Sequence, residues 1–204
     1  MTTKNRILRF DAIERAVHWL VAITFMYAAL SGLSMWSRKL YWIAAVLGGG
    51  VTVRAMHPIV ALMFAASFTR MFFKWKRQMN LDADDRVWLA NSHKYAMNQE
   101  EGLPEVGKFN GGQKMMFWMQ AFFALLLLVS GVVLWYPELM PRQARLIAVL
   151  VHPLAAIGAI GGIIVHIYMG TAAVPGSVKA MVRGFVSPRW AAAHHPKWLR
   201  DQQR

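Results

Sequence analysis

Four apolar stretches, each close to the length of a bilayer span, leave this 204-residue chain very few folds. They cover roughly residues 16–36, 56–75, 115–135 and 147–173. A helix rises about 1.5 Å per residue, so each stretch reaches across a hydrocarbon core of roughly 30 Å. Inside lipid the backbone must satisfy its own N–H and C=O groups, and unbroken apolar runs of this length do so as helices. The expected fold is all-α, an integral membrane four-helix bundle. Trp19, Trp36, Trp75, Trp118 and Trp135 fall at the span ends, as an aromatic belt requires. Pro137 and Pro141 break the chain after the third span, and Pro175-Gly176 closes the fourth.

Charge sets the orientation. Only 16% of residues are charged, against about 25% in soluble domains. The net charge of +13 would suggest nucleic acid in a soluble chain. Here the basic residues flank the apolar runs, which points to membrane lipid headgroups and no nucleic acid. Eighteen of the 23 Lys and Arg lie in the N-terminal arm, the segment 70–114 and the tail from Lys179. The other five are Arg38, Lys39, Arg54, Arg142 and Arg145. Positive charge stays inside, so both termini and the central segment are expected in the cytoplasm of a bacterial inner membrane. The first span follows a charged arm and is too long for a signal-peptide core, so no cleaved leader is expected. Cys is absent, which excludes disulfides, bound iron–sulfur clusters and covalent haem attachment.

Residues 1–204 read as one transmembrane domain with a cytoplasmic loop over 76–114 and a cytoplasmic tail over 174–204. The connection 38–55 is a turn-rich loop around Gly48-Gly49-Gly50. The loop 76–114 carries Asp82, Asp84, Asp85, Glu100, Glu101 and Glu105, and an amphipathic helix is expected over 85–97, then a glycine-rich strip. No tandem repeat is expected.

Ionisable residues inside a membrane are costly and mark function. Four histidines fall within the spans: His18, His57, His152 and His166. His152 and His166 are 14 residues apart, about 21 Å along a helix and nearly four full turns, so they share a face at opposite depths. The natural pairs are His57 with His152 near the outer side and His18 with His166 near the inner side. Two imidazoles from facing helices suit a six-coordinate haem iron, and the expectation is two haems b. Zinc wants four protein ligands and is disfavoured. Gly32, Gly131, Gly158, Gly161 and Gly162 are expected to make room for the rings. Arg70 meets either an inner haem propionate or the lipid headgroups. A single buried histidine is often only a packing group; the matched set of four carries the argument.

The strip Gly107–Lys114 precedes the third span at the level of the inner pair. Asn110, the backbone at Gly112 and Gln113 offer hydrogen-bond groups for a quinone carbonyl. The plainer alternative is a turn with a helix cap. His194 and His195 in the tail are expected at an interface or partner surface, and His93 at the surface.

The stretches Glu14-Arg15-Ala16-Val17-His18-Trp19, Met56-His57-Pro58, Gly107–Lys114, Val151-His152, Val165-His166-Ile167-Tyr168 and His194-His195-Pro196 resemble the gamma, cytochrome b556, subunits of respiratory formate dehydrogenases. The resemblance runs over nearly the whole chain. It implies four transmembrane helices with two haems b held by His18, His57, His152 and His166. It also implies a quinone, menaquinone or ubiquinone, at Asn110, Gly112 and Gln113. The implied partners are an iron–sulfur beta subunit and an alpha subunit with a molybdenum or tungsten pterin, electrons passing from the iron–sulfur subunit through the haems to the quinone. The chain departs from the expected pattern in its paired Gly111-Gly112. Two alternatives stand beside this: a cytochrome b of a nickel–iron hydrogenase or other molybdopterin oxidoreductase, and a haem-free anchor or transporter. A transporter is expected to show internal repeats.

Overall fold

The computed structural model describes residues 6–97, 99 and 102–203. Glu100 and Glu101, counted in the acidic loop, lie outside the described residues. The chain begins with a short strand β1 (Ile7–Leu8) and α1 (Ala12–Trp36). A short α2 (Trp42–Val46) and α3 (Gly50–Trp75) follow, then α4 (Ala83–Ala90), α5 (Ser92–Ala96), α6 (Gly111–Trp135) and α7 (Arg142–Tyr168). A π turn over Met169–Ala173 extends α7. The tail folds as α8 (Ser177–Arg183), β2 (Phe185–Val186), α9 (Pro188–His194) and α10 (Pro196–Asp201). Four helical segments are long and apolar enough to cross a membrane: Ala12–Trp36, Gly50–Gln78, Gly111–Trp135 and Arg142–Ala173. Large apolar side chains such as Leu125, Leu150 and Leu154 are exposed, while Ser31, Ser34, Ala155 and Ala159 are buried. That inverted pattern is what lipid solvent and close helix packing select.

Each long helix starts earlier than the apolar run does. Asp11 caps α1: the Glu14 N–H donates to Asp11 Oδ1 at 2.7 Å, and the Asp11 N–H donates to Glu14 Oε2 at 2.9 Å. Asn110 caps α6 the same way, with Gln113 N–H to Asn110 Oδ1 at 2.9 Å and Asn110 N–H to Gln113 Oε1 at 3.0 Å. Two reciprocal bonds satisfy two of the otherwise open N–H groups at a helix start. These caps lie in polar sequence, so hydropathy alone does not see them. The strip therefore becomes helix from Gly111 on and is irregular only before it. Gly48 and Gly49, at φ of +95° and +96°, make the turn that lets α3 begin at Gly50.

The chain divides into two compact units. The first holds the N-terminal arm through Arg15, Phe73–Met119 and the chain from Gly162. In it β1 pairs antiparallel with β2, Ile7 opposite Val186 and Leu8 opposite Phe185. Phe10, Trp75 and Phe109 cluster with ring centres 5.8–6.1 Å apart. Trp75 Nε1 donates to the buried carboxylate of Glu14 at 2.9 Å. The helix expected over 85–97 is two helices, α4 and α5, parted at Asn91, whose side chain donates to Val87 O at 2.9 Å. Lys114 reaches from α6 to Asp85 at 2.5 Å, with both side chains buried, and to the exposed Asp82 at 3.7 Å.

The tail is a folded part of this unit. His195 is 1% exposed, which corrects the expectation of an interfacial residue. Its Nδ1–H donates to Gly107 O at 2.7 Å. Burial and the nearby Arg9 guanidinium push its pKa down to about 2, so it is neutral. Arg9 stacks over Trp190 at 4.8 Å and Trp198 at 5.5 Å and donates to Lys108 O at 2.9 Å. His195 and Arg9 thus hold the strip before α6 by its backbone. His93 is exposed, as expected of a surface residue.

The second unit holds Ala16–Phe72 and Gln120–Gly161. Gln120 Nε2 donates to Ala159 O at 3.0 Å, a polar tie between α6 and α7. Thr24, Ser67 and other hydroxyls bond back to their own helices, which lets them sit in an apolar layer.

Candidate functional site

His57 on α3 and His152 on α7 face each other within the second unit. Their ring centres are 6.3 Å apart and their planes cross at 70°. An imidazole nitrogen binds a metal at about 2 Å and the ring centre lies about 1.1 Å behind it, so two imidazoles on one iron stand roughly 6.2 Å apart. The observed spacing matches that of two axial ligands.

Two serines set how each ring is protonated. Ser31 Oγ donates to Tyr27 O at 2.7 Å, so its oxygen accepts from His57 Nδ1–H at 2.8 Å. Ser130 Oγ donates to Leu126 O at 2.6 Å and accepts from His152 Nδ1–H at 2.9 Å. A hydroxyl has one proton, and the helix carbonyl takes it. Each imidazole then carries its proton on Nδ1 and keeps the Nε2 lone pair for a metal. Gly32 and Gly131 follow the serines. A Cβ at either would stand 3.3 Å from Cε1 of His57 or His152, so both glycines give the rings their room. Gly158 instead makes room for a neighbouring side chain, since a Cβ there would overlap the ring of Phe123.

A cavity of about 800 Å³ surrounds the two rings. Cofactor sites fall within about 300–1,000 Å³ and are lined mostly by apolar groups. Its walls include Phe25, Ala28, Leu33, Trp36, Ala61, Leu127, Trp135 and Ile160, with Arg54 and Glu138 also lining it. The donor set, the spacing and the apolar walls fit a haem b.

The walls also reveal a repeat, against the expectation of none. The sequence Phe10-Asp11-x-x-Glu14-Arg15 recurs in type 99 residues on as Phe109-Asn110-x-x-Gln113-Lys114. At the same offset Trp19, Ser31-Gly32 and Trp36 recur as Trp118, Ser130-Gly131 and Trp135. His57-Pro58 recurs as His152-Pro153, 95 residues on. Seven cavity-lining positions of α1 match seven of α6, and six of α3 match six of α7. α3 and α7 run on through Pro58 and Pro153 without a break. The repeat frames a cavity between facing histidines, which is not the broken-helix pattern of a transporter.

The remaining expected residues are placed as follows. His18 lies on α1, half-buried, with Trp19 edge-on at 5.5 Å. His166 lies near the end of α7. The two belong to different units, and their pairing rests on spacing alone. Arg70 is exposed near the end of α3. Asn110 is buried and Gln113 exposed; the cap uses their carbonyl oxygens and leaves their NH₂ groups out of it. A Cβ at Gly112 would stand 3.0 Å from the Trp88 ring and one at Gly111 2.9 Å from Asp85 O. The paired glycines therefore let α4 pack on the first turn of α6.

Ser31, Ser130 and the repeat were not expected. The recurrence of Ser-Gly-x-x-x-Trp and His-Pro was the available signal.

The family model for the prokaryotic cytochrome b561 matches residues 9–184. The chain is 37% identical to the cytochrome b556(fdo) subunit of formate dehydrogenase from Escherichia coli K12, covering 100% of this chain and 97% of that protein. It is 36% identical to the nitrate-inducible cytochrome b556(Fdn) subunit of the same organism, over 100% and 95% of the two chains. It is 32% identical to the formate dehydrogenase cytochrome b556 subunit of Haemophilus influenzae, over 99% and 86%. With four apolar spans and a family-model match over residues 9–184, this is a multi-pass protein of the bacterial inner membrane, and it belongs to the prokaryotic cytochrome b561 family.

Proposed function

We propose that this chain is the membrane cytochrome b subunit of a formate dehydrogenase, moving electrons from an iron–sulfur subunit through two haems b to the quinone pool. The observation that carries the proposal is the facing pair His57 and His152, 6.3 Å apart in an apolar cavity with both Nδ1 atoms held by serines. The names of the relatives, over the full chain, supply the donor enzyme.

A bound haem b would supply a one-electron couple. His57 and His152 would hold the outer haem, and His18 and His166 the inner one. The outer site is walled mostly by apolar side chains. A quinone takes its two electrons and two protons near Asn110, Gly112 and Gln113, where the two carboxamide NH₂ groups can donate to its carbonyls. His195 and Arg9 support that strip from behind through Gly107 and Lys108. The partners are the iron–sulfur beta subunit and the molybdenum or tungsten pterin alpha subunit. The distribution of basic residues supports a cytoplasmic location for both termini, the loop 76–114 and the tail.

The test is purification of the intact complex, with formate-driven reduction of a quinone analogue measured beside formate-driven reduction of a soluble dye. Asn110→Ala and Gln113→Ala should depress the first and spare the second. Equal activities with quinone in variant and wild type would remove the strip from the proposal. A hydrogenase large subunit in the complex would replace formate as the electron source.

A further inference from the structure

The cavity repeats itself on its walls but not in its charge. Each of the six matched α3 positions answers to an α7 position 95 residues on, and where α3 has Arg54, α7 has Val149. Both line the cavity, three residues before His57 and His152 respectively. Among the described lining residues Arg54 is the single permanent cation and Glu138 the single carboxylate. Trp36 and Trp135, the last residues of α1 and α6, also line the cavity. The remaining wall is apolar or small, and an ionised carboxylate left there without a partner is costly.

We propose that Arg54 is the carboxylate anchor of this cavity, pairing with a propionate of the bound haem and fixing which edge of the ring faces the Arg54 end. The proposal rests on the reading that His57 and His152 hold a haem b. A guanidinium stays charged in any environment and matches a carboxylate with two parallel donors. It lies about one helical turn before His57 and lines the same cavity, where its guanidinium can meet a carboxylate without a change in α3. Glu138 bears the same sign as a propionate, which favours the α3 side. The groups that bear on this propionate's proton are thus Arg54 on α3, Glu138 after α6, and the two ligand imidazoles.

The experiment uses the purified holo-complex with Arg54→Val, which copies the α7 wall, Arg54→Gln and Arg54→Lys. Resonance Raman reads the haem propionate-bending band, and redox titration at several pH values reads the midpoint of the haem that His57→Ala removes. With Arg54 present the propionate stays ionised, so the midpoint is flat around neutral pH. Arg54→Val and Arg54→Gln should keep both haems, shift the band and lower the midpoint. They should also make it pH-dependent, because protonation of the freed propionate follows reduction. Arg54→Lys should restore most of the flat profile. An unchanged band and an unchanged flat profile in Arg54→Val and Arg54→Gln overturn the proposal, as does a wild-type profile that already varies with pH as theirs does. If His57→Ala removes no haem, the haem site itself is wrong, a result distinct from failure of the anchor. Should Arg54→Val fail to assemble, Arg54→Gln gives the same comparison.

Discussion

Replacing Ser31 with alanine removes the oxygen that holds the proton of His57 on Nδ1. Ser31 is fully buried, so no water takes its place, and the Nδ1–H is left without an acceptor. An unsatisfied buried donor costs about 1–3 kcal/mol. The other tautomer, with its proton on Nε2, then gains weight and competes with iron. Loss of such an outer partner weakens metal binding about 10–100-fold, or roughly 1.4–2.8 kcal/mol, the same range reached from the hydrogen bond. Haem transfer from the solubilised complex to excess apomyoglobin measures this directly. Ser31→Ala should release one of the two haems 10–100-fold faster than wild type, with the other unaffected as an internal control. Ser31→Thr keeps the hydroxyl and should stay near wild type. Ser130→Ala should match Ser31→Ala, and the double variant should fall short of their sum because both act on one iron. Release at the wild-type rate in both single variants, or equally fast release from Ser31→Thr, would refute a tautomer set by the serines.

Other consequences are open to measurement. Asp85→Ala strands the buried Lys114 ammonium; removing one partner of a buried pair costs about 3–5 kcal/mol, less here because Asp82 remains at 3.7 Å. Its readout is faster proteolysis between α4 and α6. Gly111→Ala drives a Cβ toward Asp85 O and should loosen the same joint, whereas Gly107→Ala, with nothing within 4 Å, should be tolerated. His195 has a folded pKa of about 2 against an ordinary 6.5, so the unfolded chain binds the extra proton. Stability should therefore be unaffected by His195 above pH 6.5 and should fall below it, by at most about 1.4 kcal/mol per unit. His195→Gln, compared with wild type by thermal unfolding across that range, should lack this contribution; parallel curves would contradict a neutral buried imidazole.

The spans and the histidines inside them were legible because both signals are strong one residue at a time. Long apolar runs have few fates, and a histidine among them stands out. The helix starts were less so: Asp11, Glu14, Asn110 and Gln113 act by pairing across three positions, in polar sequence that hydropathy reads as loop. The repeat escaped because its offset changes from 99 to 95 between helix pairs and few positions are identical. Its caps repeat by chemistry, acid in one half and amide in the other. Ser31 and Ser130 were invisible for another reason. A serine in a membrane helix usually bonds its own backbone, and only the second contact, to a histidine on the next spanning helix, gives it a role. His195 was misplaced because a basic, aromatic tail reads as surface; in the fold its ring lies against Trp190 and Trp198 beside Arg9.

Haem per chain in the purified complex, by pyridine haemochrome, bears most directly on the histidine pairs when wild type is compared with His57→Ala and His166→Ala. Two haems b in wild type and one in each variant is the result the pairs require. No haem b in the intact complex, or two in His57→Ala, would contradict them.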